Sequence, residues 1–251
     1  MPAKRIDGRE WNQSRKIKIT TDFLAHPVAS ALIETGGTKV ICSASFEAGV
    51  PPWMRAQGVS GGWVTSEYGM IPGSTGSRVQ REAAKGKQSG RTMEIQRLIG
   101  RSMRAVAELN SLGEHTIHLD CDVIDADGGT RCAGITGAAT ALALAITSPY
   151  GQQNFMPFAL RDMAAAVSVG IIDGEPRLDL CYEEDSRAEV DMNVVMTRSG
   201  KLIEVQGTAE RNPFSRKQLN ELLDLAESGL KRMFALQQEI IDGAKTATLA
   251  K

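Results

Sequence analysis

Two short stretches of this sequence carry side chains at spacings that chemistry can use. The first is Asp125-Ala126-Asp127-Gly128-Gly129-Thr130-Arg131, which follows a strand-like run and opens an Ala-rich helical one. Two glycines let a backbone approach a ligand closely, and free amides at a helix start attract anions. Thr130 and Arg131 add a hydroxyl donor and a two-pronged cation. Gly129, Thr130 and Arg131 are therefore a candidate phosphate cradle; the competing reading is a plain strand-to-helix turn with Arg131 in solvent. The pattern is not the P-loop, which needs G-x-x-x-x-G-K-[ST]. Nor is Asp120-Cys121-Asp122-Val123-Ile124-Asp125 a calcium loop, because Ile124 and Asp125 stand where that loop needs an oxygen ligand and a glycine.

The second stretch is Glu183-Glu184-Asp185-Ser186-Arg187-Ala188-Glu189-Val190-Asp191. Along a straight strand Asp185 and Asp191 would lie about 20 Å apart, too far to share an ion. A reversal near Ser186 to Ala188 would bring them together, and oxygen-only donors suit a hard divalent cation, Mg²⁺ or Mn²⁺, that keeps several waters and bridges phosphates. An acidic hairpin in solvent is the other reading. None of the three histidines, His26, His115 and His118, falls near a Ser or Cys elbow, and none reads as a catalytic base. Hydrolysis of a phosphodiester requires activated water, whereas inorganic phosphate is already an anionic nucleophile at pH 7. Transfer to phosphate needs positioning and charge neutralisation more than a base.

The charge distribution fits that chemistry. The net charge of the 251 residues is only −1, but Arg78 to Arg104 holds eight basic residues against two acidic ones, and Asp173 to Asn193 holds eight acidic against two basic. One segment attracts anions and the other cations. Solvated charged faces are the plainer explanation for each run.

The elements that must position these residues can be read from periodicity. Alternation predicts strands at 16–20, 40–46 and 117–123, and short strands at 166–172, 178–182, 192–197 and 202–205, with Asp173-Gly174 and Ser199-Gly200 as hairpin turns. Helical spacing of Ile95, Leu98, Ile99, Met103 and Val106 predicts a helix over 92–109. Residues 130–147, small and Ala-rich, predict a helix packed closely against a sheet. A capping box at Ser215 and Gln218 starts a last helix of about 216–242, with a frayed tail after Gly243. The Gly-, Ser- and Arg-rich stretch 58–88 predicts a long basic surface loop. A weak echo links Glu34-Thr35-Gly36-Gly37-Thr38 with Glu204-Val205-Gln206-Gly207-Thr208, a duplicated unit or chance. No linker separates two compositionally different halves, so residues 1–251 read as one α/β domain, a mixed sheet with packed helices.

Composition excludes other classes. Hydrophobic residues at 42% and charged residues at 24% are ordinary globular values. The longest apolar stretch, Ala138 to Ile146, is half a bilayer crossing, and Met-Pro-Ala-Lys-Arg begins no signal peptide, so a cytoplasmic protein is expected. Cys42, Cys121, Cys132 and Cys181 show neither metal-ligand nor disulfide spacing and read as buried small hydrophobes.

Several motifs together resemble the ribonuclease PH family, over nearly the whole chain. They are Arg5-Ile6-Asp7-Gly8-Arg9, Gly62-Trp63-Val64-Thr65-Ser66-Glu67-Tyr68-Gly69-Met70, the run from Gly90-Arg91-Thr92-Met93-Glu94 to Arg101, Asp127-Gly128-Gly129-Thr130-Arg131, Tyr182-Glu183-Glu184-Asp185-Ser186 and Asp191-Met192-Asn193. The resemblance implies the fold of that family, like that of the second domain of ribosomal protein S5. It implies a phosphorolytic 3'-to-5' exoribonuclease that trims tRNA precursors, releases nucleoside diphosphates and runs in reverse as a nucleotidyltransferase. By the same resemblance Arg91, Gly129, Thr130 and Arg131 bind phosphate, Asp185 and Asp191 are catalytic and hold Mg²⁺ or Mn²⁺, and Arg78 and Arg81 hold RNA. A homohexamer, a trimer of dimers, is implied as well. The alternative is a non-catalytic RNA-binding ring subunit of an exosome-like assembly. Three positions depart from the family pattern: Gly73 where a further Arg is frequent, Cys181 where Asp is common and Cys132 where Thr is common.

Overall fold

The computed structural model describes residues 5–156 and 158–249, the side chains of 245–249 excepted. Alternating apolar residues in the first half build a five-stranded sheet from β1 (Ile17–Thr21), β2 (Ala29–Thr35), β3 (Thr38–Ala48), β4 (Trp63–Met70) and β5 (His115–Asp125). Its order is β1-β2-β3-β5-β4, antiparallel except for the parallel β4–β5 pair. Parallel neighbours need a crossover. It carries α2 (Glu82–Lys85) and α3 (Gly90–Val106), while α1 (Pro52–Ala56) lies between β3 and β4. The second half forms an antiparallel sheet of order β7-β6-β8-β9, from β6 (Ala164–Ile172), β7 (Glu175–Leu178), β8 (Val190–Thr197) and β9 (Leu202–Ala209).

Between the sheets runs α4 (Thr130–Thr147), followed by the short α5 (Pro149–Asn154). It packs on β2, β3 and β5 on one side and on β6 on the other, which is why its sequence is apolar or small all round rather than striped. Small residues let the layers close: a Cβ at Gly137 would lie 2.6 Å from Cys42 Sγ. The last helix, α7 (Arg216–Leu249), covers β6, β7 and β8. All nine residues of β6 are buried between α4 and α7, and one apolar cluster runs through both sheets. By length and composition alone α4 is long and apolar enough to cross a membrane, but 89% of it is buried inside the protein as a core helix. No other helix among the described residues passes that test.

Other expectations are corrected in detail. The strand placed at 178–182 ends at Leu178, because Asp179 takes a left-handed backbone (φ 54°) and the chain winds into α6 (Tyr182–Asp185). The segment 58–88 is not loop throughout, since it contains β4 and α2. β2 went unread, and α7 continues to Leu249 instead of fraying after Gly243. The echo is no duplicated unit: Glu34–Thr38 turns β2 into β3, whereas Glu204–Thr208 lies inside β9. The Ser215–Gln218 capping box forms as expected, each side chain taking the other's backbone N–H at 2.8 and 3.2 Å.

Candidate active site

The cradle forms where β5 delivers the chain to α4. The Ala126 N–H donates to the Ser74 carbonyl (2.8 Å) and the Asp127 N–H to Thr38 Oγ1 (2.8 Å), so the turn is pinned before the glycines begin. Gly128 (φ 73°) and Gly129 (φ 67°) then take successive left-handed conformations, which turn the backbone sharply into the helix. A Cβ on Gly128 would lie 2.7 Å from the backbone at Leu180, Cys181 and Tyr182, so the cradle rests directly on the acidic turn. Thr130 Oγ1 accepts the Tyr68 hydroxyl at 2.9 Å. Arg131 donates to Gln206 Oε1 of β9 (2.9 Å) and Glu94 Oε1 of α3 (3.3 Å), leaving it half-buried at the mouth of the cradle. Arg91 comes from the first turn of α3, which Ser89 caps by accepting the Thr92 N–H.

The structure brings Asp185 and Asp191 together. The reversal occurs through α6 and the following turn, a single helical turn rather than a hairpin, and sets the two carboxyls against each other. Burial, reinforced by the Asp185 charge, pushes the Asp191 carboxyl up to about 6. Burial also raises Asp185, opposed by the nearby charges of Arg91 and Arg131. The carboxylate pair and the two arginines expected to bind phosphate, Arg91 and Arg131, are thus electrostatic neighbours. Asp185 and Asp191 open on a cleft of about 330 Å³ shared with Arg187, Glu210 and Arg211.

The pair also fits a divalent cation. Asp191 Oδ1 is buried with no hydrogen-bond partner among the described residues, an orphan that a cation would satisfy. No cluster of three or more His, Cys, Asp or Glu suited to a metal occurs among the described residues, so water and substrate oxygens would complete the shell, as is usual for Mg²⁺.

Arg78 and Arg81 sit exposed on the segment after β4 and make no ion pair among the described residues. Arg81, Lys87 and Arg91 line a cleft of about 930 Å³ together with Asp120 and Asp122. Gly73 is exposed with open space beside it, so the frequent arginine would fit there without strain. All four cysteines are free and buried, as expected. The Cys132 thiol donates to Asn193 Oδ1 (3.1 Å), and burial pushes its pKa up. The Cys181 N–H donates to Glu184 Oε2 (3.3 Å) at the start of α6.

Sequence reasoning gave no role to the residues beneath the site, although Arg5 and Tyr68 stand in motifs that it quoted. Arg5 forks onto Glu184 (2.8 and 2.5 Å) and donates to the Leu178 and Asp179 carbonyls, while Arg177 reaches Glu184 at 3.2 Å. Tyr68 and Gln206, which hold Thr130 and Arg131, were likewise given no role. Their partners lie 62 and 75 residues away, and a sequence pattern gives no such pairing.

A helix-start candidate anion cradle beside a carboxylate pair suited to a divalent cation, inside a two-sheet α/β fold, points to a class of phosphate-handling nucleic-acid enzymes. Residues 13–147 match domain 1 and residues 162–229 match domain 2 of the 3' exoribonuclease family, RNase PH. The chain is 53% identical over 246 residues to the ribonuclease PH of Listeria welshimeri, covering 98% of both sequences. Among solved structures it is similar in fold to the Archaeoglobus fulgidus exosome with RNA bound to the active site (TM-score 0.76, 19% identity, 94% of this chain and 92% of that one). It is likewise similar to an archaeal exosome core (TM-score 0.68, 19% identity, 96% and 91%). The chain belongs to the ribonuclease PH family of phosphorolytic 3'-to-5' exoribonucleases.

Proposed function

We propose that this enzyme trims the 3' ends of tRNA precursors, one nucleotide at a time, with inorganic phosphate as co-substrate. The observation that carries the reading is the meeting of Arg91 and Arg131 with the Asp185–Asp191 pair across the Gly129–Thr130 cradle. Phosphate is held by Arg91, Arg131, the Thr130 hydroxyl and the amides that open α4. One of its oxygens bonds to the phosphorus of the last phosphodiester as the bond to the preceding 3' oxygen breaks. That oxygen takes up the phosphate's proton, and a nucleoside diphosphate leaves. Reversal of the same step adds a nucleotide from a diphosphate. Asp185 and Asp191 would hold Mg²⁺ or Mn²⁺, which when bound stabilises negative charge developing on the transferred phosphoryl group. Arg131, already fixed by Glu94 and Gln206, needs no reorganisation to neutralise the incoming anion.

Arg78 and Arg81 grip the RNA backbone, which makes binding salt-sensitive. The whole chain works as one domain, in the cytoplasm, as a homohexamer built as a trimer of dimers. A non-catalytic ring subunit needs neither cradle nor carboxylate pair, and this chain has both. The test is release of mononucleotides from a 3'-labelled tRNA precursor with Mg²⁺, with and without inorganic phosphate. Nucleoside diphosphates appearing only with phosphate are expected; monophosphates, or no release, would overturn the reading.

A further inference from the structure

The segment before β1 ties the two halves of the site together from behind. Arg15 is buried, and its guanidinium grips the Asp179 carboxylate through Nε (3.1 Å) and Nη2 (2.7 Å). The Arg15 backbone N–H adds a third bond to the same carboxylate at 2.8 Å. The same side chain faces the cradle: Nη1 donates to the Asp127 carbonyl, and Nη2 lies 3.4 Å from the Gly128 carbonyl oxygen. A Cβ on Gly129 would come within 3.0 Å of Nη2, so the guanidinium is seated directly under the cradle.

Asp179 is the residue at which the chain leaves β7 for α6, and it is buried in a left-handed conformation. A buried non-glycine residue in that region is held there by its surroundings. Here the holders are Arg15 on its carboxylate, and Arg5 and Arg9 on its carbonyl at 2.9 and 3.0 Å. A second tie joins the same two parts, the Tyr182 N–H donating to Asp127 Oδ1 at 3.2 Å. One planar cation therefore spans the strand-to-helix turn that binds phosphate and the turn that carries Asp185.

We infer that Arg15, locked on Asp179, is a positioning residue that sets the separation between the phosphate cradle and the Asp185–Asp191 pair. The inference rests on the phosphorolytic reading of this site. In-line attack needs the phosphate and the carboxylate-bound cation in register, and a misplacement of about 1 Å costs on the order of 10²-fold in rate. Lysine would keep the charge but lose the fork that holds both partners at once.

The test compares Arg15→Lys, Asp179→Asn and the double variant with the unaltered enzyme. Phosphate is titrated at saturating RNA, RNA affinity is measured separately without phosphate, and folding is checked by thermal melting. Each single variant should raise the KM for phosphate by about tenfold or more and lower kcat, with the RNA Kd within about twofold. The double variant should be no worse than the poorer single, because both remove one interaction. Thr38→Val removes the hydroxyl that donates to the Gly128 carbonyl at 2.6 Å, and it should move phosphate KM in the same direction by less. It decides the matter if the Arg15 and Asp179 variants do not fold. A folded Arg15→Lys enzyme with an unchanged phosphate KM overturns the inference, as does strict additivity of the pair. So does an unchanged KM in Thr38→Val where the others are unfolded. Failure of the unaltered enzyme to show phosphate-dependent release overturns the functional reading and this inference with it, whereas phosphate-dependent release with indifferent variants overturns this inference alone.

Discussion

Glu184 and Asp185 are consecutive residues of one helical turn, and the fold treats them in opposite ways. Burial alone would raise the Glu184 carboxyl, but the Arg5 fork, with Arg9 nearby, holds it down at about 2. Asp185 and Asp191 are raised instead, with burial first and each other's company after it for Asp191. Arg5 and Arg177 satisfy Glu184, whereas Asp191 keeps an orphan oxygen. The satisfied side anchors the turn, and the unsatisfied side is left wanting a cation. Strain at the site is possible because the residue before it is so firmly held.

Three substitutions would break or sharpen this contrast. The largest effect belongs to Glu184→Gln, which leaves Arg5 and Arg177 buried without their counter-charge; a loss of about 3–5 kcal/mol is expected in urea unfolding at pH 7. The Glu184 carboxyl is depressed in the fold, so its stabilisation is complete above the ordinary value of 4.5 and disappears as pH falls towards 2. The variant's acid limb should accordingly be flatter than the parent's; parallel limbs would contradict the role of Arg5.

Asp185→Asn comes next. Phosphorolysis should fall about 10²–10³-fold with little change in melting temperature, and Mn²⁺ affinity measured by calorimetry should fall with it. Near-normal turnover would separate Asp185 from the reaction.

The smallest of the three expected changes is the effect of Asp191→Asn on stability, which is opposite in sign to that of Glu184→Gln. The Asp191 carboxyl is raised to about 6 in the fold, so ionising it costs stability that is lost as pH rises from about 4 through 6. In chelator-treated protein the variant should be more stable than the parent at pH 8, by on the order of 1 kcal/mol, and equal to it near pH 3. A less stable variant at pH 8 would mean that the pair does not repel.

Much of this arrangement was legible in the sequence. β3, β5 and β8 announce themselves by alternation, and the Gly128-Gly129-Thr130-Arg131 run is local chemistry. β4 was hidden because Thr65, Ser66 and Glu67 follow a glycine-rich run, and β2 because Ala29, Ser30 and Ala31 carry little hydrophobic signal. α6 has only four residues, too few for periodicity, and is shaped by Asp179 and by Arg5 from 179 residues away. The buried arginines were illegible for the same reason: an N-terminal Arg reads as solvated until its partner in a distant turn is seen.

The place of α4 has a last consequence, for how this enzyme tolerates change. Its first residues form the proposed phosphate cradle and its remainder fills the space between both sheets. A volume change at Gly137, Ala138 or Leu142 shifts the same rigid rod that carries Thr130 and Arg131 of the proposed cradle. Core substitutions here will silence the enzyme while the chain is still folded, and selection for activity alone is enough to police the packing of its interior.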